Sequence, residues 1–502
     1  MSVNADDSVL SGAKLARSTR WNLIGTVLPL LVVIPAVPLL VGHLGTVKFG
    51  LLSLAFALIG YMSIFDFGLS RGVTQMVASG LDSRDEALRV ATWTAQWLMG
   101  ALGVGAAVVL FLCTPWLVQS VLHLHGSLAG EAILAFRVLS LGLPTEVSSS
   151  GLRGVVEAQQ RFDLSNMVRI PMAVLLYAAP VAVLPFTTNL AAVFASLAAV
   201  RLGAWGGYCV ACARTSPWMG RPRFAPRSVV PVLRLAGWMS VSNFISPLLV
   251  YADRFLVAAL LSVSAVAYYA TPYDAITKLL IVSAALSSVL FPAFAFAFTR
   301  DRRRALRLFT LGGKYLFLAI LPISFLVVLF AHELLSVWLG PQFATQSTRP
   351  LQLLAFGVFA NGLASIPFAL IQGAGRPDLT AKLHMAELPP YLVAQWVMTV
   401  HFGIAGTALV WSLRVLADMV MLYIVAWRML RLKRSSWLPQ CAVFGFATMT
   451  LFVAASLPIG FAVKCAVFAA SALAFALVVG ARVLTASERS TLTGLLRRPR
   501  LN

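Results

Sequence analysis

Charge is scarce in this chain, and acid above all: 18 Asp and Glu stand against 39 Lys and Arg in 502 residues, and the four types make up 11% of the total. So small a share excludes an ordinary soluble domain, in which about a quarter of the residues are charged. Cysteine is equally sparse, with five in all, too few and too scattered for a disulfide framework or a zinc ribbon. The lone "CVAC" at 209–212 lies on an apolar run and reads as small packing residues. No G-x-x-x-x-G-K-[ST] occurs, and "GGKY" at 312–315 lacks the upstream glycine and the hydroxyl, which excludes a nucleotide motor of that type. A cleavable signal is missing too: the first apolar run is longer than a signal h-region and no A-x-A-like site follows it, so we read it as a retained span. Nor is there a large outer segment rich in carboxylates. The widest, "TPWLVQSVLHLHGSLAGE", offers only His123, His125 and Glu131, too little for acid–base catalysis, and a membrane enzyme is not expected. The sequence calls for no catalytic residue, metal ligand or cofactor.

What fills the chain instead is apolar. Hydrophobic residues make up 59% of it and the mean hydropathy is +0.86. A bilayer core about 30 Å thick needs roughly 20 mostly apolar residues per helical span, and about fourteen such segments fit. They lie near 21–42, 48–72, 90–113, 132–155, 166–186, 189–212, 235–261, 266–296, 309–338, 350–372, 381–402, 404–427, 440–457 and 463–484. Tight helical hairpins are expected at 42–48, 186–189 and 402–404, where few residues separate neighbouring spans. The expected fold is an all-α polytopic membrane protein.

A net charge of +21 would suit a nucleic-acid partner unless the basic residues have another reason for their placement. With the amino terminus inside, about thirty of the 39 Lys and Arg fall on cytoplasmic segments, including "RTSPWMGRPRFAPR" at 214–227, "RDRRRALR" at 300–307 and "RMLRLKR" at 428–434. The other side holds Lys48, Arg137, Arg349 and Lys464. That asymmetry is the positive-inside rule, which places both termini in the cytoplasm for an even number of spans. It accounts for the charge without nucleic acid, and leaves the basic loops free to meet anionic lipid headgroups.

The chain also repeats itself. "LSLGLPTEVSSSGLRGVVEAQQRFDL" (139–164) lies over "LAFGVFANGLASIPFALIQGAGRPDL" (354–379) without a gap, matching Gly142 to Gly357, Arg161 to Arg376 and Asp163 to Asp378 at an offset of 215 residues. Six spans separate the copies, so both face the same way. The organisation read from this is a cytoplasmic segment 1–20, an N-lobe of six spans over 21–212, a basic cytoplasmic linker 213–234 and a C-lobe of six spans over 235–427. A basic loop with two extra spans over 428–484 and a cytoplasmic tail 485–502 complete it.

Charges inside the spans are the candidates for function, because an ionised residue at a helix centre costs roughly 2.5–3.5 kcal/mol even on the mildest scale. The spans hold Asp66, Glu146, Asp253, Asp274 and Asp418 against Arg71, Arg201, Arg254, Lys278 and Arg414. Asp253 and Arg254 stand about as far before the turn near residue 263 as Asp274 does after it, so these groups share one level. Asp274 with Lys278, and Arg414 with Asp418, are spaced i, i+4 on one helical face. So many embedded charges on different spans imply a wet cavity. Asp66 and Arg71, five apart in "FDFGLSRG", are some 140° off a common helical face and poorly placed to pair with each other.

"KFGLLSLAFALIGYMSIFDFGLSRGVTQMVA", "GLRGVVEAQQRFDLSN" and "YADRFLVAALLSVSAVAYYATPYDAITKLL" resemble the polysaccharide transporters of the MOP exporter superfamily, the O-antigen flippase type, over residues 15–430. The resemblance implies a fourteen-helix fold with two six-helix lobes around a charge-lined cavity. It further implies movement of undecaprenyl-diphosphate-linked oligosaccharide from the cytoplasmic to the outer leaflet of the bacterial inner membrane. On it, Asp66 and Arg71 sit at the cytoplasmic mouth, and Arg201, Arg254, Lys278 and Arg414 line the interior with Asp253, Asp274 and Asp418. Equal embedded acid and base make that interior less cationic than an anionic cargo would suggest. The implied partners are the lipid-linked oligosaccharide, membrane lipids and other polysaccharide-assembly proteins. A drug and cation antiporter of the same superfamily is the alternative, but it would carry an acid in its first span, and "WNLIGTVLPLLVVIPAVPLL" has none. A membrane glycan polymerase is a more distant alternative.

Overall fold

The computed structural model describes residues 12–61, 68–80, 86–431, 445 and 447–480, with side chains described outside 12–27, 231–247 and 299. The described residues contain helices and no strand. In chain order the helices are α1 Gly12–Tyr61, α2 Leu69–Gly80, α3 Glu86–Trp116, α4 Gly126–Ser140, α5 Leu143–Ala158, α6 Phe162–Val183, α7 Leu190–Thr215 and α8 Pro226–Leu260. There follow α9 Val263–Thr277, α10 Leu280–Arg300, α11 Arg302–Leu329, α12 Ala331–Leu339, α13 Pro341–Gly373, α14 Pro377–Leu430 and α15 Phe461–Val478. Lipid offers the backbone no hydrogen bonds, so helices are how an apolar chain of this kind satisfies its own amides.

Ten helical stretches among the described residues are long and apolar enough to cross a membrane. Two of them hold two expected spans each. α14 has 54 residues, which at 1.5 Å per residue would reach about 80 Å, far beyond a bilayer core. It is broken at Gly403 (φ 59°, ψ −148°), and α1 is broken in the same manner at Gly45 (φ 74°, ψ 167°). Both breaks fall inside the tight hairpins expected from sequence, and both use a φ that glycine adopts without a steric cost. At Gly406 the returning helix runs so close that a Cβ would collide with the Met398 carbonyl.

Three expected spans are divided. The run 132–155 is α4 plus α5, separated at Leu141 and Gly142, because Pro144 in the first turn of α5 has no N–H to continue the ladder. The run 266–296 is α9 plus α10, with a tight turn at residues 278–279. The run 309–338 ends as a span at Leu329, and α12 is a separate nine-residue helix.

The repeated segment folds alike in both copies. The Gln160 and Gly375 N–H groups donate to the Glu157 and Gln372 carbonyls (2.9 and 3.0 Å), and those of Arg161 and Arg376 to Val156 and Ile371 (3.3 and 3.1 Å). Gln160 and Gly375 both have positive φ (57° and 74°). Arg161 and Arg376 precede the next helix, and Asp163 and Asp378 stand in its first turn, where the helix dipole favours an anion.

The helices group into two compact units, residues 1–275 with 377–414, and residues 276–376 with 415–502. In the first, α1 packs on α6, α5 on α2, α3 and α7, and α4 on α7, around buried Leu69, Val73, Met99, Val155 and Tyr208. In the second, α13 is the central helix, packed by α10, α11 and α12, and its Leu354, Val358, Ile366 and Leu370 are fully buried. Apolar side chains such as Leu31, Leu112 and Val289 point outward. In a bilayer such a face meets lipid rather than water.

Candidate translocation site

The embedded charges of the first unit gather where α8, α9 and α14 supply side chains. α8 and α9 are joined by a short turn at Leu261 and Ser262, earlier than the turn near residue 263 read from sequence. Tyr269 is therefore the residue level with Asp253, and Arg254 reaches about one turn further along α9 to Asp274. The Arg254 Nη2 donates to Asp274 Oδ1 at 2.5 Å. The Arg254 side chain is 3% exposed and that of Asp274 39%, so the acid reaches water while the guanidinium does not. Tyr251 and Tyr273 place their rings 5.6 and 5.3 Å from the guanidinium carbon, one on each helix. Planar, delocalised charge on aromatic faces is a role lysine cannot copy.

Asp253 points elsewhere. Its carboxylate accepts the Tyr269 hydroxyl at 2.5 Å and the Arg254 backbone N–H at 2.8 Å, and the residue is 1% exposed. Tyr273 continues the aromatic wall, 5.9 Å from Tyr269 and 5.2 Å edge-to-face from Trp411 of α14. One turn beyond Trp411, Arg414 lies 5.3 Å from the Tyr391 ring and 3.6 Å from Glu387 Oε2. The Gln395 amide donates to the Tyr391 hydroxyl at 2.9 Å.

Arg201 of α7 pairs with Glu146 of α5 and is buried to 4%. One turn along α7, Trp205 Nε1 donates to Ser148 Oγ at 3.1 Å, and Ser148 Oγ donates to Gln96 Oε1 at 3.4 Å. A polar seam thus runs through α3, α5 and α7. The three arginines share a pattern: each has a carboxylate partner, and each keeps a buried Nε–H with no acceptor among the described residues. A buried donor of this kind is unusual and is capacity for an acceptor-rich ligand.

The expected cavity residues therefore divide. Asp253, Arg254 and Asp274 stand together, Arg414 joins the same aromatic wall through Trp411, and Arg201 has its own seam. Arg71 is exposed in the first turn of α2, away from these clusters, and Asp66 lies outside the described residues. Lys278 is exposed in the turn after α9, in the second unit. α9 ends at Thr277, so the regular helix expected to carry Asp274 and Lys278 on one face is interrupted by the turn at 278–279. Asp418 is half-buried on α14, also in the second unit.

Sequence reasoning missed Glu387, an embedded acid in the span expected at 381–402. Its signal was legible: in "ELPPYLVAQ" Glu387, Tyr391 and Gln395 recur at i, i+4 and i+8 and share one helical face. Of the "CVAC" residues, Cys212 donates to the Leu152 carbonyl at 3.3 Å. Cys209 borders a cavity of about 290 Å³ with Trp93, Leu152, Ser216, Pro217 and Met219.

Residues 43–348 match the family described as polysaccharide biosynthesis protein. The chain is 30% identical over 410 residues to the "Putative O-antigen transporter" of Shigella flexneri, a match covering 81% of this chain and 96% of the relative. Among solved structures, an inward-facing multidrug resistance MATE family transporter of the MOP superfamily aligns with a TM-score of 0.66 at 15% identity, covering 82% of this chain and 99% of that one. A MOP superfamily transporter from Pyrococcus furiosus aligns with a TM-score of 0.57 at 18% identity, covering 83% and 96%. From the matched sequence and the shared helical architecture, the chain belongs to the polysaccharide biosynthesis protein family and has the fold of the MOP superfamily transporters.

Proposed function

We propose that this membrane transporter moves polyprenyl-diphosphate-linked oligosaccharide from the cytoplasmic to the outer leaflet of the bacterial inner membrane, for O-antigen or exopolysaccharide assembly. The likeness to a relative named for O-antigen transport supports the cargo class. The observation that carries the reading is the Arg254 site: a buried guanidinium between two tyrosine rings, balanced by a carboxylate that itself reaches water, with one N–H to spare.

Physical chemistry gives that arrangement a use. A guanidinium fork matches phosphate geometry, and aromatic faces stack on sugar rings. Burying Arg254 alone would be costly, so Asp274 balances it at rest. An arriving diphosphate replaces the carboxylate, which turns to water, and no unpaired charge is left in the interior at either stage. Arg414 repeats the scheme with Glu387 and Tyr391, and Arg201 with Glu146. This gives three of the embedded acids a use: Glu146, Asp274 and Glu387 are exchangeable partners of the bases. Outward movement of an anion from a negative-inside cell is favoured by about 2.3 kcal/mol per charge per 100 mV, so no nucleotide motor is required.

In this reading both termini are cytoplasmic, the chain is two tandem six-helix lobes with two extra helices, and Arg71 stands at the cytoplasmic entrance with Asp66 near it. Lys278 and Asp418 are assigned to cargo contact as well. Membrane lipids and other polysaccharide-assembly proteins are the accompanying partners. The test is reconstitution into proteoliposomes with a fluorescent polyprenyl-diphosphate disaccharide. Arg254→Gln should abolish its flipping at equal protein level, while Asp274→Asn should retain binding of the probe. If Asp274→Asn loses binding as fully as Arg254→Gln, the pair only holds helices together and the reading fails.

A further inference from the structure

The outward end of a flippase must let an anionic cargo go, and the four basic residues assigned to that side are handled in a telling way. Lys48, just past the Gly45 break in α1, donates to Glu131 Oε1 of α4 at 2.8 Å and to the Thr188 carbonyl at 3.0 Å. Glu131 Oε1 also accepts the Leu190 N–H at 2.6 Å. In the second unit Lys464 of α15 donates to both carboxylate oxygens of Glu333 on α12, at 2.8 and 2.9 Å. Arg137 is half-buried and stacked on Phe111, 4.6 Å from the ring centroid. Arg349 gives one N–H to the Ser456 carbonyl at 3.2 Å and is exposed.

On the opposite side Arg89, Arg161, Arg223 and Lys382 have carboxylate partners, but Arg71, Arg214, Arg221, Arg227, Arg303 and Arg307 are exposed and outside the described ion pairs. An acid-poor chain thus places Glu131 and Glu333 on the two outward lysines. Apart from Lys48, Arg137, Arg349 and Lys464, the basic residue types on outward segments are histidines: His43, His123, His125, His332 and His401.

We infer that Glu131 and Glu333 act as charge masks on the outer side: they neutralise Lys48 and Lys464 so that an anionic headgroup delivered there is not held by either lysine and is released. The inference rests on the flippase reading and its orientation. It assigns the two acids a part in turnover beyond tying helix ends together. Masking and tying make opposite demands on the pair. A tie is lost whichever member is removed, whereas a mask fails only when the acid is removed and the lysine is left bare.

The test uses the full-length protein in proteoliposomes with the same fluorescent polyprenyl-diphosphate disaccharide. Glu131→Gln and Glu333→Gln should each slow its appearance in the outer leaflet about threefold or more at low salt. The slowing should fade at high ionic strength and be smaller for a monophosphate probe. Lys48→Gln and Lys464→Gln should flip at the wild-type rate. The double variants Lys48→Gln with Glu131→Gln, and Lys464→Gln with Glu333→Gln, should recover that rate. Equal slowing by both members of a pair, or no slowing by the glutamate variants, overturns the mask. A wild type that does not move the probe overturns the flippase reading and the mask with it.

Discussion

At Arg254 the chemistry narrows to a single side chain whose shape matters as much as its charge. A lysine there would keep the charge but lose the stacking on Tyr251 and Tyr273 and the two-pronged grip on phosphate. Arg254→Lys is therefore expected to cut transport about tenfold or more while the protein still accumulates, and a flipping assay normalised to folded protein checks it. Tyr273→Phe keeps the ring that faces Arg254 and Trp411 and should therefore cost less transport than removal of the ring. Tyr273→Ala should weaken both transport and stability. Asp253 was grouped with the cavity charges on sequence position, but its partners are Tyr269 and the backbone. Tyr269→Phe should consequently destabilise by about 1–3 kcal/mol by leaving a buried carboxylate short of a donor, read as a lower melting temperature in detergent.

At the scale of elements, the breaks decide what the long helices can do. Gly406→Ala drives a methyl group into the Met398 carbonyl and should lower the melting temperature clearly. Gly100→Ala on α3, with nothing near the new methyl, should be neutral or slightly stabilising. The tie between α12 and α15 has a defined pH window. Burial pushes the Glu333 carboxyl up, but the hydrogen bonds and charge of Lys464 together with the backbone outweigh it, and the group sits below its ordinary value. A lowered carboxylate contributes stability above its unfolded value, about 4.3, and loses it as pH falls through the folded value. Protection of the amides in Phe461–Val478, taken relative to their intrinsic exchange rate at each pH, should thus be flat between about pH 5 and 8 and fall only below about pH 4.

For the whole molecule the charge asymmetry is the strongest constraint. In a cysteine-free background, Gly126→Cys should react with a membrane-impermeant thiol reagent added from outside intact cells, and Arg302→Cys should not. The reverse labelling pattern would invert the topology and remove the exit from the side where Lys48 and Lys464 lie. The matching turns at 157–161 and 372–376 extend the repeat from sequence to backbone. Such helix endings are common, and the tandem six-helix organisation proposed above would account for their constant offset.

Composition and hydropathy alone determined that this is a bundle of membrane helices, because continuous apolar runs of about 20 residues satisfy their backbone in lipid as helices, whereas a barrel is built from short strands of alternating polarity. The hairpins at Gly45 and Gly403 were legible for a similar reason: runs of 50 and 54 helical residues cannot fit a bilayer unbroken. That Asp253 and Arg254 face the first half of α9 followed from one short turn, but the pairing of Arg254 with Asp274, about one turn further on, is made by the reach of the arginine side chain. Partner choice over longer distances did not follow, because it depends on which faces of distant helices meet. Only the tertiary structure brought Glu387 and Tyr391 to Arg414, Glu146 to Arg201 and Glu131 to Lys48. The regular helix assumed for Asp274 and Lys278 likewise gave way to a turn that no spacing rule announces. Helical periodicity reports which residues share a face, and only packing decides what that face will touch.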